Sequence, residues 1–272
     1  MRQLLKAANK KRKAYHHILK HKVKGKIIKL PIEKISNEFA LSYGKNGWNH
    51  LVQILRDYDK NPGGSFEDST FYQFFCRLRD QNIKTYTDIL FFHDEEKRRK
   101  MPKLHFGIYA WGSSSSDPAL AAGKPWGAYY DLRNNINTRL YHNFNIWHDV
   151  NDNHEEMQYE WETTIKLYKQ IRSEGYKPFL YGKLPEVYLL KDSNNDYRAI
   201  RWNGQHRLAV LSHLGFKKIH VIVSENAAGV VSEENIDNWY HVKNGVLTKD
   251  QAMHFFRAYF EQTGYERVKK LF

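Results

Sequence analysis

Residues 186–223 read EVYLLKDSNNDYRAIRWNGQHRLAVLSHLGFKKIHVIV, and this run limits the fold more than any other part of the chain. EVYLLKD and YRAIRWN have the β-branched and aromatic content of strands, and the polar SNND between them reads as a turn. NGQ breaks the second strand. From His206 to Leu214 the apolar residues Leu208, Leu211 and Leu214 recur at helical steps, and Gly215 supplies a stop. KKIHVIV is a third strand. A hairpin, a bend, a helix and a strand within about forty residues predict an α+β fold with a small mixed sheet.

The bend is the chemically suggestive point. A glycine there lets the backbone come close to a ligand. The first N–H groups of the helix then point outward without partners, and the helix dipole favours an anion. Gln205, His206 and Arg207 occupy the first turn. An arginine can pair with a phosphate through two parallel hydrogen bonds. A histidine can donate to a phosphate or move a proton near neutral pH. Four residues of these types also fit an ordinary exposed helix start.

The rest of the chain surrounds this unit. KIIKLPIEKI reads as a strand, a turn at Pro31 and a second short extended piece. GWNHLVQILRDYDK is predicted as a helix with Leu51, Ile54, Leu55 and Tyr58 on one face. FEDSTFYQFFCRLRDQN is a second helix, with aromatics suited to core packing. A charged stretch, 94–103, precedes a loop-like segment at 106–127 that reads as a surface loop or a lid. Its GSSSSDP lacks the Gly-Lys-Ser/Thr ending of a P-loop. His142, His148 and His154 are six residues apart, which is not the spacing of helical metal ligands. EEMQYEWETTIKLYKQIRSEG is the clearest helix, with a stripe of Met157, Trp161, Ile165, Tyr168 and Ile171 and a stop at Gly175. TKDQAMHFFRAYFEQTG opens with a capping box formed by Thr248 and Gln251.

Charge is uneven. The net charge is +13. Eleven lysines and arginines and no acid fall in residues 1–32, so the other 240 residues carry a net +2. Residues 1–24 read as a basic helical arm. It is either a solvated helix on the body, a weak nucleic-acid contact, or a membrane-surface helix. No apolar run reaches the roughly 20 residues a membrane span needs. There is no apolar signal-peptide core, and Cys76 is the only cysteine, so no internal disulfide and no multi-cysteine metal site can form. A cytoplasmic location is expected, and no metal ligands are assigned.

GQHRLAVLSHLGFKKIHVIV, preceded by the hairpin and by IRSEGYKPF, resembles the ParB/sulfiredoxin superfamily. Its members show a Gly-x-(His/Arg)-Arg box at a helix start, followed by a Leu-Gly stop and a strand. KIIKLPIEKI is similar to their opening strand. The likeness covers residues 25–40 and 160–223. It implies a ParB/sulfiredoxin-like domain at 25–223 with a mostly helical insertion at about 41–155. A C-terminal helical extension at 224–272 follows.

The chain departs from each branch of the superfamily. Gln205 stands where sulfiredoxins place their cysteine. The box lacks the acidic residue and paired arginines of the CTP-binding ParB proteins. Asn203-Gly204-Gln205-His206-Arg207 is most similar to the Asp-Gly-His-His-Arg of free-serine kinases, with Asn203 replacing a carboxylate. That resemblance implies binding of ATP or another nucleotide, with Mg²⁺, by Asn203, Gly204, Gln205, His206 and Arg207. It places catalytic roles on His206 and on an upstream glutamate base, Glu38 by position, with Glu33 as the alternative. The expected function is phosphoryl transfer to a hydroxyl of a small molecule or sugar. The alternatives are a nucleotide-binding regulatory or nucleic-acid-binding protein that uses the basic arm, and an inactive relative that binds a protein partner.

Overall fold

The computed structural model describes residues 25–83, 85–104, 154–178, 184–224 and 229–272. The basic arm, the 106–127 segment, His142 and His148 lie outside them. Strand β1, Gly25–Pro31, leads through a short 3₁₀ turn at Ile32–Lys34 into β2, Ile35–Ser36. Helices α1 (His50–Lys60), α2 (Thr70–Asp80), α3 (Tyr86–Phe91) and α4 (Glu95–Lys100) follow, and then the long α5 (His154–Glu174). The hairpin β3 (Glu186–Lys191) and β4 (Tyr197–Asn203) leads into α6 (Gln205–His213) and β5 (Lys218–Ser224). Strand β6 (Val230–Ser232), helix α7 (Tyr240–Lys243), helix α8 (Lys249–Glu261) and helix α9 (Tyr265–Lys269) complete the chain.

The architecture is mixed α/β around one six-stranded mixed sheet of order β1-β5-β3-β4-β2, with β6 beside β3. β1 runs antiparallel to β5, with Ile28 opposite Val221. β3 and β4 form the expected antiparallel hairpin, with Tyr188 opposite Ile200. β3 is parallel to both β5 and β6, and β2 is parallel to β4. The hairpin turn has a local cause. The carboxylate of Asp192 accepts from the N–H groups of Asn194 at 3.0 Å and Asp196 at 2.8 Å. Asn195 takes the left-handed conformation that asparagine tolerates.

Helix ends follow their caps. The Thr248–Gln251 capping box forms, with both bonds near 3 Å. Helix α2 starts at Thr70, later than the sequence pattern suggests. Ser69 accepts from the Tyr72 N–H, and Phe66–Ser69 is already folded into a turn. The charged stretch 94–103 contains α4, whose acids lie in the first turn and whose bases lie in the last, as the helix dipole favours. Helix α6 ends in a Schellman motif. The Phe216 N–H donates to the Leu211 carbonyl and the Gly215 N–H to that of Ser212, both at 3.0 Å, with Gly215 at φ +78°.

The hydrophobic core is continuous across the sheet and the helices of residues 41–104. Leu41, Trp48, Phe71, Phe74 and Phe75 belong to the same buried cluster as Ile200, Leu208 and Val221. The stripe on α5 is confirmed, with Met157, Ile165, Tyr168 and Ile171 buried and Trp161 half-buried. Asp59 ties α1, α5 and α6 together. It accepts from Tyr168 at 2.8 Å and lies 2.7 Å from the His213 ring nitrogen. Burial works against its ionisation, but those two hydrogen bonds prevail and hold its pKa below the ordinary value. Among the described residues, no helix is long and apolar enough to cross a membrane.

Candidate functional site: the β4–α6 bend

Strand β4 ends at Asn203, whose side-chain oxygen accepts from the Gly204 N–H at 2.7 Å. Gly204 then turns the chain at φ +86°, ψ +30°, a left-handed conformation that side chains resist. A Cβ at this position would lie 3.0 Å from the Cα of Pro185. Glycine is therefore favoured twice, by conformation and by a tight approach to Pro185. Gly204 is the N-cap of α6, and no side chain caps the helix. The sequence thus produces a helix start with outward N–H groups at residues 205–207.

Glu160 of α5 reaches this start. Its Oε2 accepts from Gln205 Nε2 at 2.7 Å and lies 2.7 Å from His206 Nε2. The carboxylate is buried, with the residue only 8% exposed. Helices α5 and α6 lie side by side, so this contact and the Asp59–His213 contact fix both ends of α6. Arg207 is half-buried, and its Nη1 has no hydrogen-bond partner among the described residues. Burial lowers its pKa, against the opposing pull of Tyr176 and Glu186. Tyr176 is similarly affected. Burial pushes its phenol up to about 12, and the hydroxyl has no hydrogen-bond partner among the described residues.

A second polar group lies behind the bend. Arg201, two residues before Asn203, pairs with Glu38, and each residue is 5% exposed. Tyr43 lies beside this pair. Its burial raises its pKa well above the ordinary phenol value, against the opposing charge of Arg201. His50 is packed among the rings of Phe71, Phe74 and Phe75. Burial, then the nearby charges of Arg201 and His206, lower its pKa to about 3. It is therefore a neutral imidazole at ordinary pH.

Asn203, Gly204, Gln205, His206 and Arg207 thus sit together on the bend. Glu38 is joined to Arg201 and is committed to a buried ion pair. Glu33 lines a different feature, a cleft of about 200 Å³ bounded also by Ser36, Ser42, Tyr259 and Gln262. The charges of Lys34, Arg198 and Asp196 in that cleft pair with one another. Sequence reasoning missed Glu160, Arg201 and His50. Only Glu160 left a signal. It falls three residues after Met157, inside the apolar stripe of α5, where a charged residue is out of place unless it has a partner.

No protein-family model, curated protein or solved structure matches this chain. Its chemistry is therefore read from the bend alone. Among the described residues, no group of three or more histidine, cysteine, aspartate or glutamate side chains could hold a metal ion. The bend instead combines an anion-favouring helix start, a guanidinium with a buried nitrogen that has no hydrogen-bond partner among the described residues, and a histidine held by a carboxylate. That combination can bind a phosphate and move a proton.

Proposed function

We propose that this protein is a nucleotide-dependent phosphotransferase acting on a hydroxyl of a small molecule or sugar, with a ParB/sulfiredoxin-like core. The observation that carries the reading is the uncapped start of α6 at left-handed Gly204, with Arg207 in its first turn and the Arg207 Nη1 buried without a hydrogen-bond partner among the described residues. The N–H groups of residues 205–207 take the phosphate oxygens, and Arg207 adds a charge-assisted pair. The nucleotide is ATP or a close analogue. Mg²⁺ bound with the nucleotide would neutralise charge on its phosphates. Among the described residues, no group of three or more histidine, cysteine, aspartate or glutamate side chains could hold the ion. The protein's own residues bind and orient them, and phosphoryl transfer depends mostly on such positioning.

A second reading is favoured by one observation. Glu38, the base implied by the family resemblance, is closed onto Arg201. A chain that binds nucleotide but lacks a free base at that position would act as a regulator. Its basic residues 1–24 would then meet nucleic acid in a salt-dependent way.

The test is calorimetry of ATP, CTP and ADP with Mg²⁺ on the wild type and on Arg207→Ala. Binding to the wild type that is lost in the variant supports the site. A screen of amino-alcohol and sugar acceptors then separates transferase from regulator. Absence of heat with every nucleotide would rule out both readings.

A further inference from the structure

We infer that His206 is the proton acceptor of the transfer step through its Nδ1, and that Glu160 is the positioning residue that frees this nitrogen. The inference rests on the phosphotransferase reading. It moves the base away from Glu38, whose carboxylate is occupied by Arg201.

The geometry decides which nitrogen is available. His206 Nε2 lies 2.7 Å from Glu160 Oε2, and an ionised carboxylate can only accept. The proton of a neutral His206 therefore sits on Nε2, and the lone pair sits on Nδ1. No described residue donates to Nδ1, and the side chain keeps 22% of its surface open. Gln205 Nε2 donates to the same carboxylate oxygen at 2.7 Å, which fixes Glu160 from a second direction. The Thr164 hydroxyl donates to the Glu160 carbonyl at 2.7 Å and anchors the backbone beneath it. A carboxylate that orients an imidazole and stabilises the imidazolium formed later is a recurrent catalytic device.

The step balances. The acceptor hydroxyl gives its proton to His206 Nδ1. Its oxygen lone pair forms the bond to the γ-phosphorus. The bond from that phosphorus to the β,γ-bridging oxygen breaks, and its electron pair leaves on the nucleoside diphosphate. The imidazolium, held by Glu160, returns its proton to water once the products leave. His206 is on the first turn of α6, the same turn whose N–H groups are proposed to hold the phosphates.

Two measurements on the full chain test this. Nitrogen-15 spectra of histidine-labelled protein near neutral pH, with His206→Gln identifying the resonances, should show the proton on Nε2. In Glu160→Leu, which removes the acceptor, the preference for the Nε2–H tautomer should be lost. A purely structural Glu160 would leave the tautomer unchanged. A wild-type proton on Nδ1 overturns the inference. Diethyl pyrocarbonate should modify His206 at Nδ1, and Mg·ATP should shield it. If ATP binds and leaves His206 unshielded, the proton-transfer role is overturned and the nucleotide site stands. If ATP does not bind, the phosphotransferase reading fails, and this role fails with it.

Discussion

The hydroxyl of Tyr259 in α8 donates to the backbone carbonyl of Glu38 at 2.6 Å, across 221 residues of sequence. A phenol has one proton, so the short contact between the Tyr86 and Tyr259 hydroxyls must be donated by Tyr86. Arg267 completes the tie. Its buried guanidinium donates to the carbonyls of Ile89, Phe39 and Ala40. The loop that carries Glu38 is thus held in place by the C-terminal helices.

Tyr259→Phe removes the hydroxyl that donates to the buried Glu38 carbonyl. An unsatisfied buried group costs about 1–3 kcal/mol. The urea midpoint should fall by that equivalent with an unchanged m-value. A variant as stable as the wild type would show that the tie does not hold the loop.

Glu38 and Arg201 should behave as a coupled pair. Removing one partner leaves a buried charge alone and costs about 3–5 kcal/mol, as Glu38→Leu or as Arg201→Met. The double variant should be more stable than the sum of the two losses predicts, since no charge then remains buried. Denaturant titration of the four proteins gives the coupling, and strict additivity would contradict the ion pair.

His50 sets an acid limit. Its folded pKa of about 3 lies below the 6.5 of an unfolded histidine. Below pH 6.5 the unfolded chain takes up a proton that the folded chain refuses. Stability is therefore full above pH 6.5 and is lost as pH falls toward 3, at up to about 1.4 kcal/mol per pH unit. His93 acts in the same direction. Burial and then the nearby charges of Arg267 and Lys270 lower its pKa to about 4. His50→Phe should remove one proton's worth of this slope in equilibrium unfolding between pH 4 and pH 7. An unchanged slope would mean that His50 is protonated in the folded state.

Gly204→Ala should destabilise the bend itself. The left-handed φ of +86° and the 3.0 Å approach to Pro185 both penalise a Cβ. A strained non-glycine residue of this kind costs about 1–3 kcal/mol. Thermal unfolding reads the loss. Gly215→Ala provides the contrast, because it has a similar φ but no atom within 4 Å of the added Cβ, and it should cost less.

The sequence alone determined the hairpin, the bend, the helix after it and the strand β5 that follows. It also determined the Thr248–Gln251 cap and the stops at Gly175 and Gly215. These features are set by side-chain period, capping and turn chemistry within a few residues, so neighbours in sequence are sufficient to specify them. The five residues of the bend were legible for the same reason. The tertiary structure alone decided the partners. Glu160 meets His206 across 46 residues, and Arg201 meets Glu38 across 163. In the sequence Glu160 shows only as a charge inside the α5 stripe, with nothing to name its partner. Only the packing of α5 on α6, and of β4 near the loop after β2, brings these carboxylates into buried contact with a histidine and an arginine. The base implied by resemblance fell on Glu38 because position in sequence was its only guide. The structure pairs that buried carboxylate with Arg201, and the contact between two helices places Glu160 at the bend.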